Sequence, residues 1–271
     1  MKAVCGTCPH ACALEPGQVG LCGARTNVGG TVTCTAYGRV SARNLDPIEK
    51  KPLRRFMPGA HILSVGGFGC NMRCPFCQNH EISTERPDDG APYVAPEELV
   101  RHARRIPGNV GVAYTYNEPL VCWEYVRDCG KLIRAAGLKN VLVTNGMANP
   151  PVLEEILPYM DAMNVDLKGF TQEYYNWLGG DLGTVRRFIA RAAEACHVEL
   201  TTLVVPGRND SEAEMGEAAE WIASLDPEIP LHITRYFPMY RESAPPTPVR
   251  TIERLVAVAH RHLLYVYPGN L

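Results

Sequence analysis

The chain has 271 residues, of which 46% are hydrophobic and 21% are charged, and its formal net charge is −2. This length is sufficient for one large α/β domain with a sizeable core, and the near-neutral charge without a basic run argues against DNA binding. No stretch approaches the roughly 18 consecutive apolar residues of a membrane helix, and the N-terminus lacks the apolar run of a secretory signal, so we expect a cytoplasmic protein without membrane contacts.

Residues 1–55 are rich in Cys, Gly, Pro and Thr and contain no long periodic segment. Four cysteines there, Cys5, Cys8, Cys12 and Cys22, follow a C-x2-C-x3-C-x9-C pattern. In a reducing compartment, clustered cysteines more often bind metal than form disulfides. We interpret this region as a small Cys-rich N-terminal module that holds a structural zinc ion or a second, fully ligated iron–sulfur cluster.

Residues 56–271 alternate between apolar strand patterns and amphipathic helix patterns. The predicted strands are 61–67, 110–116, 141–145, 162–168, 198–205, 231–236 and 263–267. The predicted helices are 96–106, 119–137, 151–160, 184–196, 211–225 and 247–263. Strands separated by single helices indicate parallel βαβ units. The pattern favours an α/β fold with a partial TIM-type (β/α)6 barrel, and a doubly wound sheet is the alternative.

Polar residues and glycines directly follow the predicted strands. The strand endings read GGFGC (66–70), YNEP (116–119), TNG (144–146), DLKG (166–169), VPGRND (205–210) and RYFP (235–238). In parallel α/β folds, reactive groups lie at the C-terminal ends of the strands. These endings therefore predict one functional site at that end of the barrel.

Cys70, Cys74 and Cys77 form a C-x3-C-x2-C motif after the first of these strands. A structural zinc site needs four ligands, and His80 is a candidate for the fourth. A [4Fe–4S] cluster held by three thiolates would instead leave one iron free for a substrate or cofactor. The glycines before Cys70 favour the cluster because they allow backbone N–H groups to approach the sulfur atoms.

The motif, with Phe76 before its last cysteine, resembles the signature of the radical S-adenosylmethionine (SAM) superfamily. The resemblance extends over nearly the whole chain to the AmmeMemoRadiSam group, which is related to the activating enzyme of pyruvate formate-lyase. The similar segments are CPHAC, GQVGLCGARTN, DPIEKKPL, GCNMRCPFCQN, TYNEP, TNG, NVDLKG, VVPG and YPGN. It implies a radical SAM core barrel over residues 56–271 and a [4Fe–4S] cluster, held by the motif cysteines, whose open iron is chelated by SAM. It also implies reductive cleavage of SAM to methionine and a 5′-deoxyadenosyl radical.

The resemblance further implies which residues hold SAM. Phe76 is expected near the adenine. Asn117 and Glu118 are expected near the methionyl amino group, because a carboxylate suits an ammonium. Thr144 and Asn145 are expected at the ribose.

Asp166 and Lys168 are expected at the end of the fourth strand, with Lys168 paired to the SAM carboxylate, and Arg235 is expected to face the substrate. The electron donor implied is a ferredoxin or flavodoxin. The substrate stays open between a small molecule, a nucleobase and a protein. Activation of a glycyl-radical enzyme is one alternative function, and a non-catalytic iron–sulfur or zinc protein is another.

The remaining cysteines, Cys34, Cys122, Cys129 and Cys196, are scattered. We interpret them as ordinary buried thiols. Cys122 and Cys129 are expected on one helix, where they can share a face.

Overall fold

The computed structural model describes residues 1–87 and 90–271. Its strands, in chain order, are β1 (Ala3–Val4), β2 (Ala13–Leu14), β3 (Arg25–Val28), β4 (Thr31–Cys34), β5 (Ala42–Pro47), β6 (His61–Gly66), β7 (Asn109–Tyr114), β8 (Lys139–Thr144), β9 (Ala162–Asp166), β10 (His197–Val204), β11 (Leu231–Arg235) and β12 (Val266–Gly269). Its α-helices are α1 (His80–Thr84), α2 (Pro96–Arg105), α3 (Trp123–Ala135), α4 (Pro150–Ile156), α5 (Gln172–Trp177), α6 (Leu182–Ala193), α7 (Glu212–Leu225) and α8 (Val249–Ala259). Short 3-10 helices cover Ile48–Lys50, Pro119–Cys122 and Leu157–Tyr159.

The main sheet has eight strands in the order β12-β11-β10-β9-β8-β7-β6-β5. Neighbours from β6 to β12 are parallel, and β5 is antiparallel to β6. A doubly wound sheet reverses its strand order at a switch point, whereas this order follows the chain. The structure therefore confirms the predicted α/β fold, in which the strands follow one another in chain order as in a barrel. The doubly wound alternative is wrong.

The parallel strands bury both faces. Val141 and Leu142 are adjacent on β8 but belong to separate apolar clusters, because successive strand side chains point to opposite faces of a sheet. Leu142 belongs to the large cluster shared with the helices, and Val141 to a smaller one with Ile48 and Leu53. The segment that carries Ile48 and Leu53 thus packs against the face of the sheet opposite the helices.

Glu199 fastens the next part of this segment to β10. Its side chain is fully buried and accepts hydrogen bonds from the backbone N–H groups of Arg54 (2.9 Å) and Arg55 (2.7 Å). It also pairs with Nε2 of His197 (3.0 Å) and of His232 (2.6 Å). Burial alone would raise the pKa of Glu199, but these hydrogen bonds lower it to about 2.

The predicted helix 119–137 is two elements. The 3-10 helix Pro119–Cys122 comes first and is capped by Glu118, whose side chain accepts from the backbone N–H of Leu120. Cys122 therefore lies outside α3, which carries Cys129, and the prediction that both share one helix is wrong.

Cys34 on β4 and Cys122 form a disulfide across 88 residues of chain, so the prediction of ordinary thiols is also wrong for this pair. Their Cα atoms lie 5.6 Å apart, within the usual range for a disulfide. Cys129 is a buried free thiol, as predicted, whereas Cys196 is a free thiol but only half-buried. The disulfide links the N-terminal region to the turn that follows β7.

The N-terminal region consists of two small antiparallel sheets, β1 with β2 and β3 with β4, before β5 joins the main sheet. Arg25 on β3 forms a two-pronged ion pair with Glu124 of α3, at 2.7 and 2.9 Å. Because β5 lies inside the predicted module of residues 1–55 yet pairs with β6, the two regions share a sheet. The boundary at residue 55 stays a prediction. Among the described residues, no helix is long and apolar enough to cross a membrane.

Candidate active site

The motif cysteines lie on the loop between β6 and α1, at the C-terminal ends of the parallel strands. Cys70, Cys74 and Cys77 are free, half-buried thiols. They line one cavity of about 100 Å³. Its other lining residues are Met72, Arg73, Pro75, Ser83, Thr84, Tyr240 and Arg241. The structure thus brings the three cysteines to one cavity; their role as cluster ligands stays a prediction.

His80 does not complete a zinc site in this geometry. In the described residues, no three ligand atoms of Cys70, Cys74, Cys77 and His80 lie within 4.8 Å of one another. Four zinc ligands at about 2.3 Å from the metal would lie roughly 3.8 Å apart. The His80 ring instead stacks on Tyr240, with ring centroids 4.4 Å apart. The spacing of the sulfur atoms favours a group larger than one zinc ion.

Gly69 sets the path of the motif loop. Its φ of +86° lies in the region that favours glycine, and a Cβ there would lie 2.3 Å from the carbonyl oxygen of Cys22. The next amide, of Cys70, donates to that same carbonyl at 3.1 Å. The loop can therefore pass this close to the N-terminal region only with glycine at position 69.

Gly69→Ala is expected to cost about 2 kcal/mol of unfolding free energy beyond the backbone cost of a positive φ, because backbone must shift to relieve the contact. The displaced loop should also lower iron uptake on anaerobic reconstitution. Gly59→Ala is the matched control, since Gly59 has φ +80° and no atom lies within 4 Å of the place where a Cβ would stand. Chemical denaturation and iron analysis test this, and equal losses in the two variants would contradict it.

Asn117 clamps the motif loop to the end of β7. Its Oδ1 accepts from the backbone N–H of Gly67 (2.9 Å), and its Nδ2 donates to the carbonyl of Gly69 (3.0 Å). Both polar atoms of the amide are therefore engaged by the loop before Cys70. This geometry makes Asn117 a positioning residue for the cysteines; its predicted contact with SAM stays a prediction.

Glu118 connects the ends of β7 and β8. Its buried carboxylate accepts from Oγ1 of Thr144 (2.7 Å), from the backbone N–H of Asn145 (2.7 Å) and from that of Leu120 (3.0 Å). Burial raises the pKa of Glu118 to about 7, although these hydrogen bonds oppose the rise. Both carboxylate oxygens are thus occupied by protein donors, which supports a positioning role for Glu118.

The raised pKa of Glu118 predicts a pH-dependent contribution to stability. The folded state holds this proton more tightly than the unfolded state, so the unfolding free energy should fall as pH rises from about 4.5 to about 7. The effect of this shift is on the order of 3 kcal/mol. Glu118→Gln removes this pH-dependent contribution. The unfolding free energy of the variant relative to that of the parent should therefore be lowest near pH 5 and highest near pH 8. Denaturation of both proteins across this range tests the sign, and a pH-independent difference would contradict it.

Asn145 connects β8 to the first motif cysteine. Its Nδ2 donates to Oδ1 of Asn71 (3.0 Å) and lies 3.6 Å from Sγ of Cys70. The backbone N–H of Met72 also approaches this sulfur, at 3.4 Å. Hydrogen bonds to a ligand sulfur tune the reduction potential of an iron–sulfur cluster. Sequence reasoning missed Asn71, although its place directly after Cys70 was the available signal.

Lys168 and Asp166 form an ion pair at the end of β9, with Nζ 2.8 Å from Oδ2. Burial lowers the pKa of Lys168, but Asp166 and Cys74 more than offset this, and the pKa lies well above its ordinary value. Burial raises the pKa of Cys74 to about 11, and the Lys168 charge opposes that rise. Lys168 therefore adds a fixed positive charge beside Cys74. The hydroxyl of Tyr175, a residue that sequence reasoning missed, accepts a hydrogen bond from the backbone N–H of Lys168 (3.1 Å).

Phe76 and Arg235 are held by other contacts. The Phe76 ring is buried against Trp177 (5.8 Å between centroids) and Tyr236 (6.4 Å). The Arg235 Nε donates to the carbonyl of Thr247 (2.6 Å). The structure thus connects the motif loop, Asn117, Glu118, Thr144 and Asn145 through hydrogen bonds, with Lys168 electrostatically coupled to Cys74. The adenine role of Phe76 and the substrate role of Arg235 stay predictions.

Three free thiols around one cavity at the strand ends of a barrel-like α/β fold form a candidate site for a metal cluster. The chain belongs to the radical SAM superfamily, whose profile, described as "Radical SAM superfamily", matches residues 64–221. It is a radical SAM enzyme. Membership in the AmmeMemoRadiSam group within that superfamily stays a prediction.

The chain is similar to three proteins that differ in sequence identity and in the length matched. An uncharacterized protein of Methanocaldococcus jannaschii is 38% identical over 276 residues, which cover 100% of this chain and 82% of the relative. The pyruvate formate-lyase 1-activating enzyme of Escherichia coli K12 is 29% identical over 167 residues, covering 58% of this chain and 66% of that enzyme. The crystal structure of a domain of a pyruvate-formate lyase-activating enzyme from Bacteroides vulgatus superposes with a TM-score of 0.53 at 20% identity, covering 59% of this chain and 99% of that one. The last comparison supports the fold alone.

The family implies a [4Fe–4S] cluster and SAM, and the residues present fit such a cluster. The three thiols are unbridged, lie around one cavity and do not all have sulfur atoms within 4.8 Å of one another. Their protonation is no obstacle, because iron binding displaces the proton from a ligand thiol. A reductant is a general requirement of this family.

Proposed function

We propose that Cys70, Cys74 and Cys77 bind a [4Fe–4S] cluster with one open iron, at which SAM binds. The convergence of the three free thiols on one cavity at the strand ends carries this proposal. Within the described part of the chain, no further cysteine lines that cavity. When bound, the two cofactors supply reductive cleavage of SAM to methionine and a 5′-deoxyadenosyl radical that acts on an unidentified substrate.

The chain's own residues hold this site in place. Asn117 fixes the loop before Cys70, and Glu118 orients Thr144 and Asn145, whose position at the strand end supports the proposed ribose contacts. Lys168 keeps a positive charge at the rim, where the carboxylate of SAM would be favoured. A ferredoxin or flavodoxin is the proposed electron donor.

The test is anaerobic reconstitution with iron and sulfide, reduction, and addition of SAM. We expect 5′-deoxyadenosine and methionine in equal amounts. A sample that carries a reduced cluster yet forms neither product would contradict the proposal. Reduced protein without added iron is the control for background cleavage.

A second candidate concerns the substrate. Identity of 29% to an enzyme named for activating pyruvate formate-lyase favours a protein substrate, in which a glycyl radical would be formed. Fold and relatedness do not fix a substrate, so a small molecule or nucleobase is the competing proposal. Extract of cells grown in D₂O can be separated into macromolecular and small-molecule fractions. If the substrate is a protein, deuterium should appear in 5′-deoxyadenosine only when the enzyme is incubated with the macromolecular fraction. Deuterium transfer with the small-molecule fraction alone would contradict this candidate.

We also propose that Cys5, Cys8, Cys12 and Cys22 form a separate metal centre, of zinc or of iron–sulfur type. Its support is that all four thiols are free and line one cavity in the N-terminal region.

A further inference from the structure

The second cysteine group is a built site rather than a set of scattered thiols. Cys5, Cys8 and Cys22 are each at most 8% exposed, and Cys12 is half-buried. Together they line one cavity, whose other lining residues are Thr7, His10, Gly20, Leu21, Arg25, Asn71 and Val121. Strand pairing of β1 with β2 places the segments carrying Cys5 and Cys12 side by side, and the Cys5 amide donates to the Cys12 carbonyl at 3.0 Å.

Arg25 independently indicates that the occupant of this site is negatively charged. Its side chain is 6% exposed, and the residue lines the cavity. The guanidinium donates through Nη1 and Nη2 to Glu124 and Val121, whereas its buried Nε has no hydrogen-bond partner among the described residues. A buried N–H without a partner is costly. A thiolate-bound metal centre beside it would supply the missing acceptor.

The separation of the sulfur atoms favours a cluster over zinc. In the described residues, no three of these thiols have sulfur atoms within 4.8 Å of one another, whereas zinc would hold them roughly 3.8 Å apart. The sulfur atoms of Cys70, Cys74 and Cys77 likewise do not all lie within 4.8 Å of one another. The void between the side chains is about 10 Å³, and zinc would require the sulfur atoms to draw together.

The two cysteine groups are in direct contact. The carbonyl of Cys22 accepts from the amide of Cys70 at 3.1 Å, so a single hydrogen bond joins a ligand of one site to a ligand of the other. Nε2 of His10 lies 2.7 Å from the Asn71 carbonyl, and Arg73 bonds the Leu21 carbonyl. A redox centre at the N-terminal cysteines would thus lie on a short path to the motif cysteines.

We propose that Cys5, Cys8, Cys12 and Cys22 bind a second [4Fe–4S] cluster that passes electrons to the cluster at Cys70, Cys74 and Cys77 through the Cys22–Cys70 contact. One electron enters from an external ferredoxin- or flavodoxin-type donor and reduces the second cluster. That cluster is then reoxidised as the first is reduced by one electron. This inference rests on the proposed function, because only a SAM-cleaving cluster needs the electron.

The first experiment counts and separates the metal centres. The parent protein, reconstituted anaerobically, should hold about eight iron and about eight sulfide per chain. The triple variant Cys70→Ala, Cys74→Ala, Cys77→Ala should keep about four of each and a reducible cluster signal in electron paramagnetic resonance. Cys196→Ala, a free thiol outside both groups, should match the parent. About four irons in the parent, or one zinc per chain after growth and purification without added iron, would overturn the proposal.

The second experiment follows the order of reduction. Photoreduction of the SAM-bound parent with rapid freezing should show the N-terminal cluster signal first and its decay as the SAM-cluster signal rises. Cys12→Ala removes the most exposed of the four ligands and should eliminate that fast phase while the SAM cluster stays assembled. Simultaneous reduction of both clusters, or an unchanged rate in Cys12→Ala, would overturn the relay. Absence of SAM cleavage in a parent sample that carries both reduced clusters would instead count against the proposed function alone.

Discussion

Cys74→Ala is expected to reduce 5′-deoxyadenosine formation to the level of the sample without cluster. With two remaining thiolates at the motif site, the [4Fe–4S] cluster loses one of its three protein ligands, and no other described cysteine lines the cavity to replace it. Cys70→Ala and Cys77→Ala should have the same effect. Product analysis by chromatography after reduction in the presence of SAM measures it.

The control for this prediction is Cys196→Ala, since Cys196 is a free, partly buried thiol on the segment between α6 and β10. It should retain the activity of the parent. If the N-terminal cysteines bind the proposed second cluster, Cys74→Ala should still bind iron, and its melting temperature should stay close to that of the parent. Undiminished product formation by Cys74→Ala would contradict the assignment of the motif.

Glu199→Gln is expected to lower the unfolding free energy by about 3 kcal/mol at pH 7. Four donors surround the carboxylate, and an amide would turn its own N–H₂ group toward two of them. The folded-state pKa of Glu199 is lowered to about 2. Its contribution is therefore fully present above the unfolded pKa of about 4.5 and is lost as pH falls toward 2. The difference from the parent should thus be smaller at pH 3.5 than at pH 7.

Glu220→Gln serves as the control for this prediction, since Glu220 lies exposed on α7. It should change the unfolding free energy by less than about 0.5 kcal/mol. Denaturant titrations at both pH values give the comparison. A loss for Glu199→Gln no larger than that of the control would show that the network with Arg54 and Arg55 does not hold the segment to β10.

The inner strands β6 to β11 could be predicted from the sequence because each is a short apolar run closed by glycine or polar residues, whereas β5 (Ala42–Pro47), which has no such run, was missed. The run 141–145 corresponds to β8 (Lys139–Thr144), and 198–205 to β10 (His197–Val204). The last strand was misplaced, at 263–267 instead of Val266–Gly269. The apolar Leu263, which suggested the earlier start, packs into the main core ahead of the strand. Proline is accommodated at position 268 because β12 is an edge strand.

The contacts that organise the site could not be predicted, because they join residues far apart in the chain. Cys34 and Cys122 are 88 residues apart. Glu118 could be assigned to the site from its place after a strand. The sequence could not show that both of its carboxylate oxygens accept hydrogen bonds from Leu120, Thr144 and Asn145. The place of a residue directly after a strand gives the end of the sheet at which it lies. Its hydrogen-bond partners depend on how neighbouring strands and loops pack.

Electron–nuclear double resonance of the reduced, cluster-loaded enzyme with SAM carrying ¹⁵N at the methionyl amino group tests the central claim most directly. If an iron left open by Cys70, Cys74 and Cys77 binds SAM, the cluster signal will show a hyperfine coupling that changes between ¹⁴N and ¹⁵N. The same coupling should be missing in Cys74→Ala. A fully developed cluster signal that is identical with labelled and unlabelled SAM would contradict the account.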